Sequence, residues 1–158
     1  MSTAFPQTGR SENQGTVSGP RPGTYVVIPV TVGGELAATV YPGAATFIKY
    51  VPLHFACRVM EVSFMAEVTA TVGAHTWAVQ NGGAAGSGTT DIVAANSVPA
   101  SATVETFAAA ALTNRNCAKG DILRFRLAGT NAGDITTRGV ITVTVWVRGH
   151  VVANPNDD

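Results

Sequence analysis

Apolar and polar side chains alternate with a period of two along residues 139–148, near the end of the chain. Successive side chains of a β-strand point to opposite faces of its sheet. The pattern therefore predicts a strand whose buried face is formed by Ile141, Val143, Val145 and Val147. Its opposite face carries Thr142, Thr144 and Trp146 and is expected to meet solvent or a partner.

The same rhythm recurs between clusters of Gly, Asn and Pro along most of the chain. It predicts strands at residues 25–32, 36–41, 46–51, 58–68, 75–80, 91–95, 121–127 and 139–148. Pro29 in the first run indicates an edge position or a bulge, because proline cannot donate a ladder hydrogen bond. The fourth run is expected to be a central core strand with its buried side formed by Met60, Val62, Phe64, Ala66 and Val68.

Residues 102–112 permit two interpretations. Four consecutive alanines favour a helix, whereas Val104, Thr106 and the surrounding periodicity favour a strand. The pattern leaves both alternatives open.

About eight short strands separated by turn signals are typical of a β-sandwich or barrel. We predict an all-β chain folded as an antiparallel β-sandwich of the jelly-roll type, spanning residues 24–152. A polar, flexible arm at residues 1–23 precedes it, with Phe5 and Val17 as its large apolar side chains after the initiator, and a polar tail follows at residues 153–158. The arm is interpreted either as a frayed terminus or as a segment that orders on a neighbouring subunit.

Composition narrows the classes of partner. Charged residues make up 13% of the chain, about half the usual share of roughly 25%, and ten basic residues balance ten acidic ones. These charges are scattered, which argues against nucleic acid, and no apolar run is long enough to predict a membrane span. The first residues lack a secretory apolar core, so we expect a cytoplasmic chain whose Cys57 and Cys117 are reduced thiols that fill core space.

Candidate chemistry is sparse in this sequence. The common nucleophile, phosphate-binding and Cys-x-x-Cys signatures do not occur, and the histidines and cysteines have no metal-ligand spacing. We therefore predict a protein that is not an enzyme and has no cofactor or metal. A carbohydrate-binding module is the alternative, with Trp77, Trp146 or Tyr41 as stacking platforms, although His75 and Trp77 at strand spacing are also typical of core positions.

Three stretches of the chain carry a resemblance to a known group. Residues 47–62 (FIKYVPLHFACRVMEV), residues 77–82 (WAVQNG) and residues 119–127 (KGDILRFRL), followed by the terminal Thr/Val strand, resemble small structural proteins of tailed bacteriophages. The resemblance covers about residues 24–152, and it departs from the more familiar pattern at Leu53-His54, where a Phe is usual.

This resemblance implies a capsid decoration (cement) or head-fibre protein with a jelly-roll or related β-sandwich. Such a protein acts as a homotrimer on the outer surface of the virion shell, bound to the major capsid protein, after assembly in the host cytoplasm. Phe5, Val17, Tyr25 and Trp146 are the residues that we expect in subunit contacts. Recognition of a host-surface glycan, as by a tail fibre, is the alternative function.

Overall fold

The computed structural model describes residues 22–33, 46–68, 75–129 and 137–148. These residues form nine β-strands and a 3-10 turn, with the bounds β1 Tyr25–Gly33, β2 Thr46–Pro52, β3 Cys57–Val68, β4 His75–Asn81, β5 Thr90–Ser97, β6 Thr103–Ala108, η1 Ala109–Ala111, β7 Asn116–Cys117, β8 Ile122–Gly129 and β9 Arg138–Val147. The predicted strand at 36–41, the tail at 153–158 and most of the arm at 1–23 lie outside the described residues.

The strands form two antiparallel sheets. One has the order β1-β9-β3-β6, with β7 also paired to β3, and the other has the order β2-β8-β4-β5. If the two-residue β7 is left out of the numbering, β8 becomes the seventh strand and β9 the eighth. The strand order is then 1-8-3-6 in one sheet and 2-7-4-5 in the other. This is the strand order of a jelly roll, so the predicted all-β sandwich is confirmed.

The core lies between the two sheets and follows the two-residue rhythm of the strands. Val62 and Phe64 on β3 lie opposite Val143 and Ile141 on β9, and all four are 0% exposed. From the other sheet, Trp77 packs against Phe64 with ring centroids 5.3 Å apart. Because buried side chains alternate with more exposed ones along the central strands, each sheet has one buried and one outer face.

Three predictions have distinct outcomes here. The run at 58–68 is a central strand, but Met60 is only half-buried, because an irregularity between Val59 and Glu61 shifts the register and places Val59 in the core instead. Pro29 lies on β1, an edge strand, as predicted. Residues 102–112 resolve into the strand β6 followed by the 3-10 turn, so the helical and the extended tendencies are each realised over part of the segment.

Candidate interaction surface

The sheet β1-β9-β3-β6 has an outer face that points away from the core. Five of the six exposed large hydrophobic side chains of the described residues lie on it, namely Tyr25, Val27, Met65, Val104 and Trp146. Each alternates along its strand with more deeply buried side chains, so the two-residue period that builds the core also builds this surface. We refer to it as the outer face.

Cross-strand register arranges these side chains in rows. At one end, Tyr25 on β1 lies opposite Trp146 on β9. At the other end, Met65 on β3 lies between Val140 on β9 and Val104 on β6. The rows between them carry mainly small or hydroxyl side chains, including those of Pro29, Thr142, Ser63 and Thr106. The outer face is therefore weakly polar in the middle and apolar at two opposite corners.

Four charged side chains of the described residues lie on the outer face. Two of them form an exposed ion pair at one margin of the face, where Arg138 Nε donates to Glu67 Oε2 at 2.8 Å. Arg58 lies opposite Trp146, and Glu61 lies opposite Thr144. These four side chains are two basic and two acidic, and Arg58 and Glu61 lie toward the aromatic corner of the outer face.

The aromatic corner of the outer face is packed edge to face. The ring centroids of Tyr25 and Trp146 are 4.8 Å apart with an interplanar angle of 67°. Gly23 N–H donates to the carbonyl of Val147 at 2.9 Å, so the chain enters β1 directly beside this pair. Tyr25 remains 61% exposed and Trp146 36% exposed. Two of the residues expected in subunit contacts are thus adjacent, whereas the other two, Phe5 and Val17, lie outside the described residues.

The second sheet presents a more polar outer surface. Arg124 Nη1 donates to the carbonyl of Gly88 at 2.7 Å, and Gln80 Nε2 donates to Asp91 Oδ1 at 2.8 Å. The Arg124 guanidinium carbon also lies 5.9 Å from the centroid of the Tyr50 ring. The outer face of the first sheet carries five of the six exposed large hydrophobic side chains of the described residues, so it is the better candidate for binding another protein.

A polar cleft of about 440 Å³ lies at one end of the sandwich and is lined by asparagines and glycines. Asn81 donates to Asp121 Oδ2 at 2.8 Å and accepts from Gly83 N–H at 2.8 Å, so both ends of its amide are occupied. Asn114 Nδ2 donates to the carbonyl of Asp91 at 2.9 Å. These side chains hold loops together, and the described part of the chain contains no group of three or more His, Cys, Asp or Glu that could hold a metal ion.

The predicted stacking role of Trp77 is wrong, because its side chain is 0% exposed. Its Nε1–H donates to Glu105 Oε2 at 3.2 Å, and its ring packs edge-on to Phe107 with centroids 5.6 Å apart. His75 is also 0% exposed, with Nδ1 3.0 Å from Thr137 Oγ1, so the core interpretation of both residues is confirmed. Tyr41 lies outside the described residues.

Sequence reasoning missed Val27, Met65 and Val104 as members of the outer face. A signal for two of them was present: Val27 stands between apolar neighbours, and Met65 follows Phe64, so these strands are apolar on both sides. A strand of a sandwich buries one side against the opposite sheet. Several apolar residues grouped on the other side therefore indicate a surface that can bind a partner.

Two buried thiols lie at the edge of the same sheet. Cys57 on β3 and Cys117 on β7 are paired across the strands, and both are free. The side-chain contact with Cys117 lowers the pKa of Cys57, whereas the same contact, together with burial, raises the pKa of Cys117.

Comparison with known proteins gives little beyond this geometry. No family model matches the chain, and no curated protein matches it. Among solved structures it is similar to the "Structure of infectious bursal disease virus Gx strain", with 15% sequence identity and a TM-score of 0.35 over 79% of this chain. The chain spans 32% of the length of that structure. In the described residues, no helix has the length and apolar character needed to cross a membrane.

Proposed function

We propose that this chain is a structural protein of a virus particle, of the bacteriophage capsid decoration or head-fibre type. In this role it has no catalytic function and binds copies of itself and the major capsid protein on the outer surface of the head. The observation that carries the proposal is the outer face, where Tyr25, Val27, Met65, Val104 and Trp146 are exposed on one side of the same sheet. The resemblance of residues 24–152 to phage structural proteins supports the same role.

The area of the outer face can be compared with the area that stable protein interfaces bury. Four strands about 4.8 Å apart and seven residues at about 3.3 Å each give a flat area of roughly 400 Å². A stable protein interface buries about 800 Å² on each partner. The accessible surface of a corrugated face exceeds its flat area, so one such contact is comparable in size with one partner's share of an interface, and we propose that a trimer adds further contacts and that a symmetric shell adds avidity.

Residues 1–23 are the proposed source of additional contact area. The chain enters β1 beside Tyr25 and Trp146, at the apolar corner of the outer face. An arm that starts there is well placed to contact whatever covers that corner. Deleting residues 1–23 is expected to weaken attachment to purified shells in a pull-down, and unchanged binding would count against the arm.

The role of the outer face can be tested by replacing one of two exposed tyrosines, one on each sheet, and measuring the oligomeric state. Tyr25 is 61% exposed on the edge strand β1, and Tyr50 is 51% exposed on the edge strand β2 of the other sheet. In size-exclusion chromatography with light scattering, we expect a trimer for the wild type and for Tyr50→Glu, and a monomer for Tyr25→Glu. A monomeric wild type, or the same behaviour of both variants, would contradict the proposal.

The proposed role as a structural protein of a virus particle can be tested by asking whether the chain is present in purified particles. Antibodies against the purified chain should detect it in density-gradient-purified particles from the culture that produces it. Detection in the soluble fraction alone would contradict a virion role. A glycan array that gives specific binding, abolished by Trp146→Ala, would instead assign the chain to carbohydrate recognition.

A further inference from the structure

The contact between β3 and β7 places the two cysteines of the chain directly opposite each other. Cys57 is 0% exposed and Cys117 is 2% exposed. Directly opposed residues of an antiparallel pair project their side chains from the same face of the sheet, so the two thiols lie side by side. No other thiol of this chain can compete for either partner. The pair therefore satisfies the first requirement of a disulfide, which is that the two side chains point together.

The backbone hydrogen bonds between β3 and β7 indicate how far Cys57 and Cys117 are from the separation that a disulfide needs. Val59 N–H donates to the carbonyl of Arg115 at 2.8 Å, two residues along from each cysteine. Since bonded pairs recur at every second residue, Cys57 and Cys117 form a hydrogen-bonded pair, with Cα atoms about 5.5 Å apart. That separation lies inside the disulfide range of about 4.4–6.8 Å, but the Cβ atoms must approach by about 1–2 Å.

The strand that would have to move is short. β7 consists of two residues and, among the strands that the structure describes, pairs only with β3, at the edge of the sheet. A displacement of 1–2 Å there disturbs few ladder hydrogen bonds, whereas the same displacement of β3 would disturb the pairing with β9 and β6 as well. Local opening of β7 is also the simplest route by which a buried thiol reaches solvent.

We propose that Cys57 and Cys117 are a redox-active pair that forms an intrachain disulfide in the presence of a small disulfide oxidant. When β7 opens, the Cys117 thiol loses its proton to water, and its thiolate attacks one sulfur of the oxidant and expels the other as a small thiolate. While β7 is still open, the Cys57 thiol also loses its proton to water, and its thiolate attacks Sγ of Cys117 and expels the second small thiolate; the two small thiolates then take up the two protons. Two protein thiols and one small disulfide thereby give one protein disulfide and two small thiols.

The bridge would act as a reversible staple of the sheet edge. It joins residues 60 positions apart in the sequence, so it restricts the unfolded chain strongly, while the strain of the hydrogen-bonded geometry makes the bond easy to reduce. The inference does not depend on the proposed virion role, because it concerns the chemistry of this pair alone.

Treatment of the purified full chain with glutathione disulfide tests the proposal. We expect the wild type to lose both alkylatable thiols after unfolding, to gain no glutathione mass, to remain a single chain on a non-reducing gel and to melt about 5–10 °C higher. Dithiothreitol should restore both thiols and the original Tm. Two thiols that stay alkylatable at a temperature just below Tm would overturn the proposal.

Single variants serve as controls for this experiment. Cys57→Ala and Cys117→Ala should show no rise in Tm with glutathione disulfide, and each retains one thiol that can only form a glutathione adduct or remain free. A wild-type chain whose end product is a stable glutathione adduct or an interchain dimer would overturn the proposal, as would an oxidised chain that melts below the reduced one.

Discussion

Glu105 connects the two sheets on the side of the sandwich where β6 and β5 are the last strands of their sheets. It lies on β6, where its carboxylate accepts from Trp77 Nε1 at 3.2 Å through Oε2 and from Asn96 Nδ2 at 2.6 Å through Oε1. Trp77 and Asn96 belong to β4 and β5 of the opposite sheet. Replacing Glu105 by alanine therefore removes a side chain that spans the sandwich, and it leaves the indole N–H of a fully buried tryptophan without its acceptor.

The cost of Glu105→Ala follows from these two bonds. Leaving a buried donor unsatisfied costs about 1–3 kcal/mol, and the bond to half-buried Asn96, which water can partly replace, adds about 1 kcal/mol. We expect the free energy of unfolding to fall by about 2–4 kcal/mol. Glu105→Gln should cost about 1 kcal/mol or less, because its amide oxygen can accept from Trp77 while its NH₂ donates to Asn96 once the Asn96 amide turns over.

Urea unfolding at 25 °C, followed by far-UV circular dichroism, measures both variants against the wild type. Glu61→Ala is the matched control, because Glu61 is a strand glutamate exposed on the outer face of the same sheet, and its loss should change the free energy of unfolding by at most about 0.5 kcal/mol. Equal losses for the alanine and glutamine variants at position 105, or a loss for Glu105→Ala no larger than for Glu61→Ala, would refute the reasoning.

Three further substitutions probe the fold. Gly139→Ala should lower the free energy of unfolding by more than about 2 kcal/mol, because the added Cβ would collide with the carbonyl of Met65 and the ring of Phe64; a melting curve unchanged from the wild type would contradict this contact. Lys49→Val should increase aggregation in light scattering at raised concentration, since it removes a charge from the edge strand β2, and a variant that stays monodisperse would argue against that role. Asn81→Ala should lower the free energy of unfolding by about 1–3 kcal/mol in thermal melts, because both ends of its amide are hydrogen-bonded, and a loss within about 0.5 kcal/mol would contradict it.

Strand positions were predictable because alternation is a local property. A strand with one buried side needs apolar residues at every second position, and β9 and β8 satisfy this rule over their whole length. The edge placement of Pro29 was predictable for a similar reason, since the missing N–H is a property of the residue itself. Met60 was misplaced because a register shift depends on how β3 pairs with its neighbours, and no pattern within the strand indicates it.

The sequence by itself determined that this chain is an all-β sandwich with one apolar side on most strands. The tertiary structure decided which residues of different strands meet: that Tyr25, Met65, Val104 and Trp146 share one outer face, and that the cysteines at 57 and 117 are paired. Periodicity assigns a side chain to one of two faces of its own strand. The order of strands in each sheet and their register depend on contacts distant in sequence, and these decide which neighbours complete a surface.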